Sequence, residues 1–338
     1  MPPGRDPVDR ASDNSRDLYD VTSWEPRTLV DRLAVGIYGS LRPILRWVLI
    51  LLGVVILAAL FALGSLGAIL DPVVGAFVVL SAIPALLLAA YFWRADVTSG
   101  EPLDLLVVTF VLAVLFAGFA GVLNDFGSGL QALDFGAFGV GLGSVLFFYL
   151  VVGPIEETVK LLAVRLHAFR SSRFDSVVDG AVYGAVAGLG FATIENALYI
   201  TRFMEADGGV FSIAFVRALA GPGHVVYSSI AGYYLGLAKF NRADAGPIVV
   251  KGLLIAAFVH GTYNVTVGVV PPLIANSTQL SLGASFVGYI AFYVAAAGFY
   301  LYRKIGRYRS IYESVGAGDT HDADAPPERT EFDSPPRE

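Results

Sequence analysis

Long apolar runs dominate this 338-residue sequence and limit what it can fold into. A bilayer core about 30 Å thick is crossed by about 20 residues of α-helix at a rise of about 1.5 Å per residue. Runs of that length recur near residues 47–69, 73–92, 104–124, 142–165, 178–200, 223–240, 248–270 and 284–302. The pattern predicts an all-α, polytopic transmembrane helix bundle of about eight spans. Shorter apolar pieces such as 211–219 fit interfacial or re-entrant helices, which leaves seven or nine spans open.

The composition favours the same class. Hydrophobic residues make up 55% of the chain and charged residues 15%, with a mean hydropathy of +0.65, unlike a soluble domain. The chain has no cysteine, which excludes disulfides, thiol catalysis and cysteine-based zinc sites. The first 46 residues contain no short apolar core of a cleavable secretory signal, so we expect the first span to direct insertion.

The charge is concentrated at the two ends. We divide the chain into a polar cytoplasmic N-terminal segment (1–46), a transmembrane helical domain (47–302) and an acidic, disordered cytoplasmic tail (303–338). Most of the net charge of -6 comes from the termini, and such acidic stretches are typical of solvated, disordered chain. Arginine greatly outnumbers lysine, which with the acidic tails suggests a salt-adapted archaeon as the source.

Basic residues predict the orientation, because cytoplasmic connections carry an excess of Lys and Arg. They fall in alternate connections: Arg42 and Arg46; Arg94; Arg165, Arg170 and Arg173; Lys239 and Arg242; and Arg303, Lys304, Arg307 and Arg309. The opposite connections contain only Arg202 and Arg217, which we interpret as interfacial charges. Both termini of an integral protein of the cell membrane would then lie in the cytoplasm.

Several ionisable or polar residues interrupt the apolar runs. They are Glu156, Glu157, Glu195, His224, His260 and Asn264. An isolated charge at membrane depth costs several kcal/mol unless it faces a cavity or a partner, so such residues usually mark functional sites. Counting residues along each span places the six in the middle and outer half of the bilayer. The sequence therefore predicts a polar site inside the bundle, although it does not show which side chains meet.

The fifth predicted span carries a ridge of small residues. Gly180, Gly184 and Gly188 are spaced four apart and so lie on one helix face, where another backbone can approach closely. Such packing would also fix the direction of Glu195 further along the same helix.

The polar residues could activate water for hydrolysis. Glu156 or Glu157 could act as the base, with Lys160 offsetting one charge from positions i+4 and i+3. His260 and Asn264 could stabilise an oxyanion. His224 or the second glutamate could then protonate the leaving amine.

The same residues are also consistent with other roles. A zinc ion could be held by His224, His260 and a carboxylate such as Glu195, with another glutamate activating bound water. Purely structural roles are also open, namely a Glu/Lys pair that reaches the interface and histidines that bond between helices.

Four short motifs carry a resemblance to a known family. They are Glu156-Glu157-x-x-Lys160, Phe191-x-x-x-Glu195-Asn196, Gly223-His224 and His260-x-x-x-Asn264, in this order within residues 140–270. Together they resemble the PrsW family of intramembrane proteases, within the superfamily that contains the type II CAAX prenyl endopeptidases. The CAAX branch usually has histidine where this chain has Glu195, so the PrsW branch is more similar.

The resemblance implies a membrane-embedded peptidase. Its best-known relatives make the first cut in a membrane-anchored anti-sigma factor, on the extracytoplasmic side. It implies that the catalytic residues are Glu156, Glu157, Glu195, His224, His260 and Asn264. Glutamate-type and metal-type mechanisms have both been proposed within the superfamily.

Our leading hypothesis is an intramembrane endopeptidase that acts on a membrane-anchored protein or peptide within the lipid bilayer, with no nucleic-acid partner. The alternative is a proton- or cation-coupled transporter, since buried Glu and His also build ion relays. Residues 47–135 contain no second copy of the paired glutamates, which argues against an internally repeated transporter. A catalytically silent membrane scaffold is a third class.

Overall fold

The computed structural model describes residues 6–8, 17–40, 72–96, 100–133, 136–137, 140–205 and 209–323. The first predicted span, 47–69, lies outside these residues.

The helices are α1 (Pro72–Ala95), α2 (Leu103–Gly127), α3 (Leu142–Phe147), α4 (Gly153–Leu166), α5 (Val177–Glu205), α6 (Val210–Phe240), α7 (Ala245–Thr266), α8 (Val270–Ser277) and α9 (Leu282–Ala323). Two-residue antiparallel strands, β1 (Gly136–Ala137) and β2 (Val140–Gly141), precede α3.

Six of the described helical segments are long and apolar enough to cross a membrane. They are Pro72–Ala95, Leu103–Ala132, Val177–Phe203, Val210–Phe240, Ala245–Thr266 and Leu282–Ser314. The predicted all-α membrane bundle is thereby confirmed, and about eight spans remain consistent with it.

Two predicted boundaries differ from the structure. Helix α6 begins at Val210, so residues 211–219 are its first turns and not a separate interfacial helix. Helix α9 continues to Ala323, so the tail predicted to be disordered from residue 303 begins as helix. Its sequence has no proline before Pro326, and Arg309 pairs with Glu313 one turn later at 2.7 Å.

The fourth predicted span is divided into three pieces, and the division positions its glutamates. A π-helical turn over Phe148–Val152 separates α3 from α4. Pro154, at the start of α4, cannot donate a backbone hydrogen bond to that turn, which favours the wider winding. A Cβ atom at Gly153 would lie 2.6 Å from the carbonyl oxygen of Ala257 in α7. The absence of a side chain there lets α4 and α7 approach closely.

Helices α5 and α6 form the centre of the bundle. A Cβ atom at Gly180, Gly184 or Gly188 would lie 2.2, 2.3 or 2.4 Å from a backbone oxygen of α6. The predicted ridge is therefore a real contact between two backbones. At Gly188 the opposing oxygen belongs to His224, so this contact also fixes the position of a predicted site residue.

The described part of the polar N-terminal segment packs against the bundle. The Lys251 ammonium of α7 lies 3.0 Å from Asp20 Oδ1 and 2.6 Å from Asp31 Oδ1. Asp20 also pairs with Lys304 of α9. Asp31 is fully buried and Lys251 nearly so. This group, which we name the N-terminal ion network, fastens residues 17–40 to two helices of the bundle.

Candidate active site

Four helices bring polar side chains into one buried cluster, which we name the glutamate–histidine cluster. Its members are Glu156, Glu157 and Lys160 of α4, Glu195 and Asn196 of α5, Arg217 and His224 of α6, and His260 of α7. Five of the six predicted site residues are in this cluster. The lateral meeting of these helices could not be inferred from the sequence.

Glu157 is fully buried and well bonded. Its Oε1 lies 2.7 Å from Lys160 Nζ and 2.9 Å from His260 Nδ1, and its Oε2 accepts a hydrogen bond from Ser228 Oγ at 3.1 Å. With its oxygens occupied, this carboxylate is a fixed anion. It orients the His260 ring so that Nε2 faces Glu156.

Glu156 is also buried but has spare bonding capacity. Its Oε1 accepts a hydrogen bond from the Asn124 amide at 3.1 Å. No hydrogen bond to a described residue reaches its Oε2, which lies 3.8 Å from His260 Nε2 and 3.6 Å from Lys160 Nζ. A buried acceptor without a donor is costly and therefore uncommon away from functional sites. Of the paired glutamates, Glu156 is the one available for chemistry.

Glu195 orients the second imidazole. His224 Nε2 lies 2.8 Å from Glu195 Oε2, which also accepts a bond from Arg217 Nη2 at 2.5 Å. On its other side, His224 Nδ1 lies 3.0 Å from Lys160 Nζ. The ring centroids of His224 and His260 are 5.1 Å apart and nearly perpendicular. The two imidazole rings are therefore in contact, and Glu157 orients His260 while Glu195 orients His224.

Sequence reasoning missed Arg217, which we had interpreted as an interfacial charge. It is buried, and its Nε donates to Asn196 Oδ1 at 2.8 Å in addition to its bond to Glu195. The available signal was spacing, because Arg217 precedes His224 by seven residues, or about two helical turns, and shares its face. Asn124 and Ser228 were also missed, since a lone polar residue in an apolar helix does not show which partner it meets.

Phe191 of the Phe-x-x-x-Glu motif has a packing role in the cluster. The Lys160 ammonium lies over its ring at 4.2 Å from the centroid. A cation over an aromatic face is stabilised by the ring quadrupole, more strongly when it is desolvated. The spacing of four residues thus lets α5 present Phe191 to Lys160 and Glu195 to His224.

Asn264 is not bonded to the cluster. It lies one turn beyond His260 on α7, is half-buried, and makes no hydrogen bond to any described residue. Within the described part of the chain, nothing occupies its amide.

Comparison with known proteins agrees with this geometry. A protein-family model described as PrsW family intramembrane metalloprotease matches residues 101–299, which include every member of the glutamate–histidine cluster. This chain belongs to the PrsW family. It is thus an intramembrane protease, and the transporter and scaffold hypotheses lose their support.

Individual relatives give the same result. Protease PrsW of Bacillus subtilis (strain 168) is 32% identical over 184 residues, covering 54% of this chain and 78% of the relative. Protease PrsW of Geobacillus kaustophilus (strain HTA426) is 32% identical over 182 residues, covering 54% and 75%. No solved structure matches this chain.

The cluster fits the metal that the family description implies. Glu156, His224 and His260 can each offer one ligand atom, and these atoms lie within 4.8 Å of one another. Imidazole nitrogen and carboxylate oxygen are ordinary zinc ligands. The unbonded Glu156 Oε2 is the kind of buried atom that a metal would satisfy, and Glu157 orients His260 as carboxylates commonly orient metal-binding histidines. Glu195, one of the candidate ligands from the sequence, is not in this group and is paired with Arg217 and His224.

Proposed function

We propose that this protein hydrolyses a peptide bond of a membrane-anchored protein or peptide at the glutamate–histidine cluster, with Glu156 as the base that activates water. One observation carries the proposal. The Oε2 atom of Glu156 is buried without a hydrogen-bond partner among the described residues, 3.8 Å from His260 Nε2. A water molecule bound there would meet an acceptor and an imidazole together.

The proposed roles follow from the bonding of each group. Glu156 takes a proton from water as the water oxygen bonds to the peptide carbonyl carbon. The proton then passes to the amide nitrogen as the carbon–nitrogen bond breaks, either from Glu156 or through His224. Glu157 and Glu195 act indirectly, because they hold His260 and His224 in place.

Asn264 is proposed to stabilise the oxyanion together with His260. Its amide has no partner among the described residues and lies one turn from His260 on the same helix. A donor kept free for the charge that develops in the transition state is the usual arrangement of an oxyanion hole.

A bound zinc ion would be held by Glu156, His224 and His260 and would supply Lewis-acid polarisation of the water or the peptide carbonyl. His224 Nδ1 lies 3.0 Å from the Lys160 ammonium, so Lys160 would have to withdraw if that nitrogen became a ligand. In either mechanism, Glu157 of α4 would hold His260 in place.

The substrate is proposed to be a single-span regulator of the anti-sigma-factor type, cut on its extracytoplasmic side. The motif resemblance and the alternation of basic residues support this choice. The same alternation supports the proposed cytoplasmic location of both termini.

The test uses purified protein in proteoliposomes with single-span substrates. We expect Glu156→Gln to abolish cleavage while the purified amount and Tm stay near wild type, because glutamine keeps the shape but cannot accept a proton. Glu313→Gln is the matched control, since Glu313 is exposed in α9 and pairs with Arg309 on the same helix. Full cleavage by Glu156→Gln would refute the proposal.

Chelation separates the two mechanisms. Wild-type protein is assayed with and without a strong chelator, followed by zinc. Loss and recovery of cleavage would assign a metal mechanism, whereas cleavage that is indifferent to the chelator would assign glutamate-activated water.

A further inference from the structure

Tyr227 of α6 contacts both histidines of the glutamate–histidine cluster. Its ring stacks on the His260 imidazole, with the centroids 5.2 Å apart and the planes inclined by 27°. The centroid of the His224 ring, one turn earlier on α6, is 6.4 Å away, and so is that of the Tyr263 ring on α7. Tyr263 follows His260 by three residues. Tyr227 therefore lies along the turn of α7 that leads from His260 to Asn264.

The Tyr227 hydroxyl points toward the beginning of α6. A Cβ atom at Gly223, four residues earlier, would lie 2.8 Å from this hydroxyl oxygen, in agreement with the usual inclination of helical side chains toward the helix N-terminus. Helix α6 ends at Phe240 and α7 begins at Ala245, so a short connection joins them and they run in opposite directions. The hydroxyl therefore points along the bundle toward the end of α7 that carries Asn264.

This hydroxyl is a buried donor that the described residues leave unused. Tyr227 is only 1% exposed, and its hydroxyl has no hydrogen-bond partner among the described residues. The neighbouring tyrosines of α9 differ, because Tyr293 donates to the carbonyl oxygen of Val259 at 2.6 Å and Tyr289 is bonded to Thr266. Burying a hydroxyl without a hydrogen bond costs free energy, and most buried hydroxyls are paired. An unused donor beside two site imidazoles points to a group that arrives with the substrate.

On the basis of the function proposed above, we infer that the Tyr227 hydroxyl donates a hydrogen bond to a backbone carbonyl oxygen of the substrate, next to the scissile bond. The peptide groups of a membrane helix are bonded within that helix, so a segment that is hydrolysed at the cluster must give up some of these bonds. Each carbonyl released in this way needs a donor in a buried site. His260 and Asn264 are assigned to the carbonyl under attack, and Tyr227 to a neighbouring one.

The test compares two tyrosines of α6 that are equally buried but differ in the bonding of their hydroxyls. Both are 1% exposed. The Tyr233 hydroxyl donates to the backbone carbonyl oxygen of Asp20 at 3.0 Å, whereas that of Tyr227 has no partner among the described residues. Tyr227→Phe and Tyr233→Phe each remove one hydroxyl and keep the ring. The values of kcat and KM are measured in proteoliposomes at varied mole fractions of a single-span substrate, and Tm is measured in detergent.

We expect Tyr227→Phe to lower kcat/KM by about tenfold through a higher KM, because a hydrogen bond to the bound substrate is lost in the ground and transition states alike. Its Tm should be unchanged or higher, since the protein without substrate loses an unpaired buried hydroxyl. Tyr233→Phe should show the reverse pattern, with a lower Tm and with wild-type kcat and KM per folded molecule.

Substrate binding by inactive protein separates this inference from the proposed role of Glu156. Glu156→Gln and the double variant Glu156→Gln/Tyr227→Phe are titrated with the same substrate carrying a fluorophore, and the double variant should bind about tenfold more weakly. Full cleavage by Glu156→Gln would refute the proposed role of Glu156 and leave the kinetic comparison of the two tyrosines valid.

Three results would overturn the inference about Tyr227 while leaving the role of Glu156 intact. The first is equal substrate binding by the single and double variants, or a wild-type kcat/KM for Tyr227→Phe. The second is a loss confined to kcat, since the hydroxyl would then act in the chemical step and not in binding. The third is a Tm that falls in Tyr227→Phe as it does in Tyr233→Phe, because the hydroxyl would then be bonded within the protein.

Discussion

Helix α7 contributes to two buried charged groups that differ in how completely their members are paired. Lys251 belongs to the N-terminal ion network and His260 to the glutamate–histidine cluster, about 14 Å apart at a rise of about 1.5 Å per residue. In the network, Asp20 and Asp31 both have an ammonium partner. The negative and positive charges of the network are therefore equal in number, and the network fastens the N-terminal segment to the bundle.

In the glutamate–histidine cluster, the carboxylates outnumber the Lys and Arg side chains. Its three glutamates share Lys160 and Arg217, and one oxygen of Glu156 keeps no hydrogen-bond partner among the described residues. The difference teaches that burial of charge alone does not identify a reactive site. Asp31 Oδ1 also lacks a hydrogen bond from the described residues, but it lies 2.6 Å from the Lys251 ammonium, whereas Glu156 Oε2 lies 3.6 Å from Lys160 Nζ. This looser pairing of Glu156 is the difference that the following variants test.

The largest expected effect on cleavage is that of His260→Ala. Loss of the imidazole removes the group that faces the unbonded oxygen of Glu156, and we expect cleavage to fall by about 10³-fold or more, at the upper part of the usual range for acid–base groups. Initial rates in proteoliposomes measure the change. His167→Ala is the matched control, because His167 is exposed at the end of α4. If His260→Ala cleaves at the wild-type rate, the His260 imidazole has no role in catalysis.

The next largest effect is that of Asn264→Ala. Removing one donor of an oxyanion hole typically lowers kcat by about 10²-fold or more, and we expect a loss of that size with little change in KM or Tm. Gln131→Ala, which removes an exposed amide, should behave as wild type. If Asn264→Ala has the wild-type kcat, the oxyanion role belongs to another donor.

A smaller effect is expected from Arg217→Met. Glu195 would lose its guanidinium partner while still bonded to His224, so His224 should be held less firmly, and we expect kcat to fall by about tenfold with KM nearly unchanged. Arg217→Lys should recover part of the loss. Arg202→Met, an exposed arginine of α5, serves as the control. Equal kcat values for the two methionine variants would show that Arg217 does not position the cluster.

The smallest effect on cleavage is expected from Asp31→Asn, whose main effect is on stability. It leaves the buried Lys251 with less compensating charge, and breaking a buried pair costs about 3 kcal/mol or more. Unfolding in detergent should shift accordingly, while cleavage per folded molecule stays within about twofold. Asp17→Asn breaks only an exposed pair with Arg27 and should change neither quantity. A clear loss of cleavage per folded molecule in Asp31→Asn would merge the two regions into one functional unit.

The spans of the bundle were largely predictable, because hydropathy over about 20 residues reports a property that every membrane helix shares. The beginning of α6 at Val210 was missed because Arg217 interrupts the apolar run, and its buried partners Glu195 and Asn196 are distant in sequence. The end of α9 was missed because composition alone does not distinguish a polar helix from a disordered tail.

The glutamates and histidines of the candidate site were predictable, but its other members and its internal geometry were not. Intramembrane acids and imidazoles can be read from the chain, which is how Glu156 and His260 were found. Which of the paired glutamates is saturated depends on Ser228 and on the approach of α7 at Gly153, neither of which has a local sequence signature. The same limit explains why Asn264 was grouped with residues to which, among those described, it is not hydrogen-bonded.

The contact between α5 and α6 has a consequence for how a polypeptide reaches the catalytic groups. Where Gly184 faces the opposing backbone, no side chain lies between the two helices that could swing aside to open a passage. Separating them would lose the close packing of the two backbones along the glycine ridge. We therefore expect a substrate segment to reach the glutamate–histidine cluster by a route other than between α5 and α6.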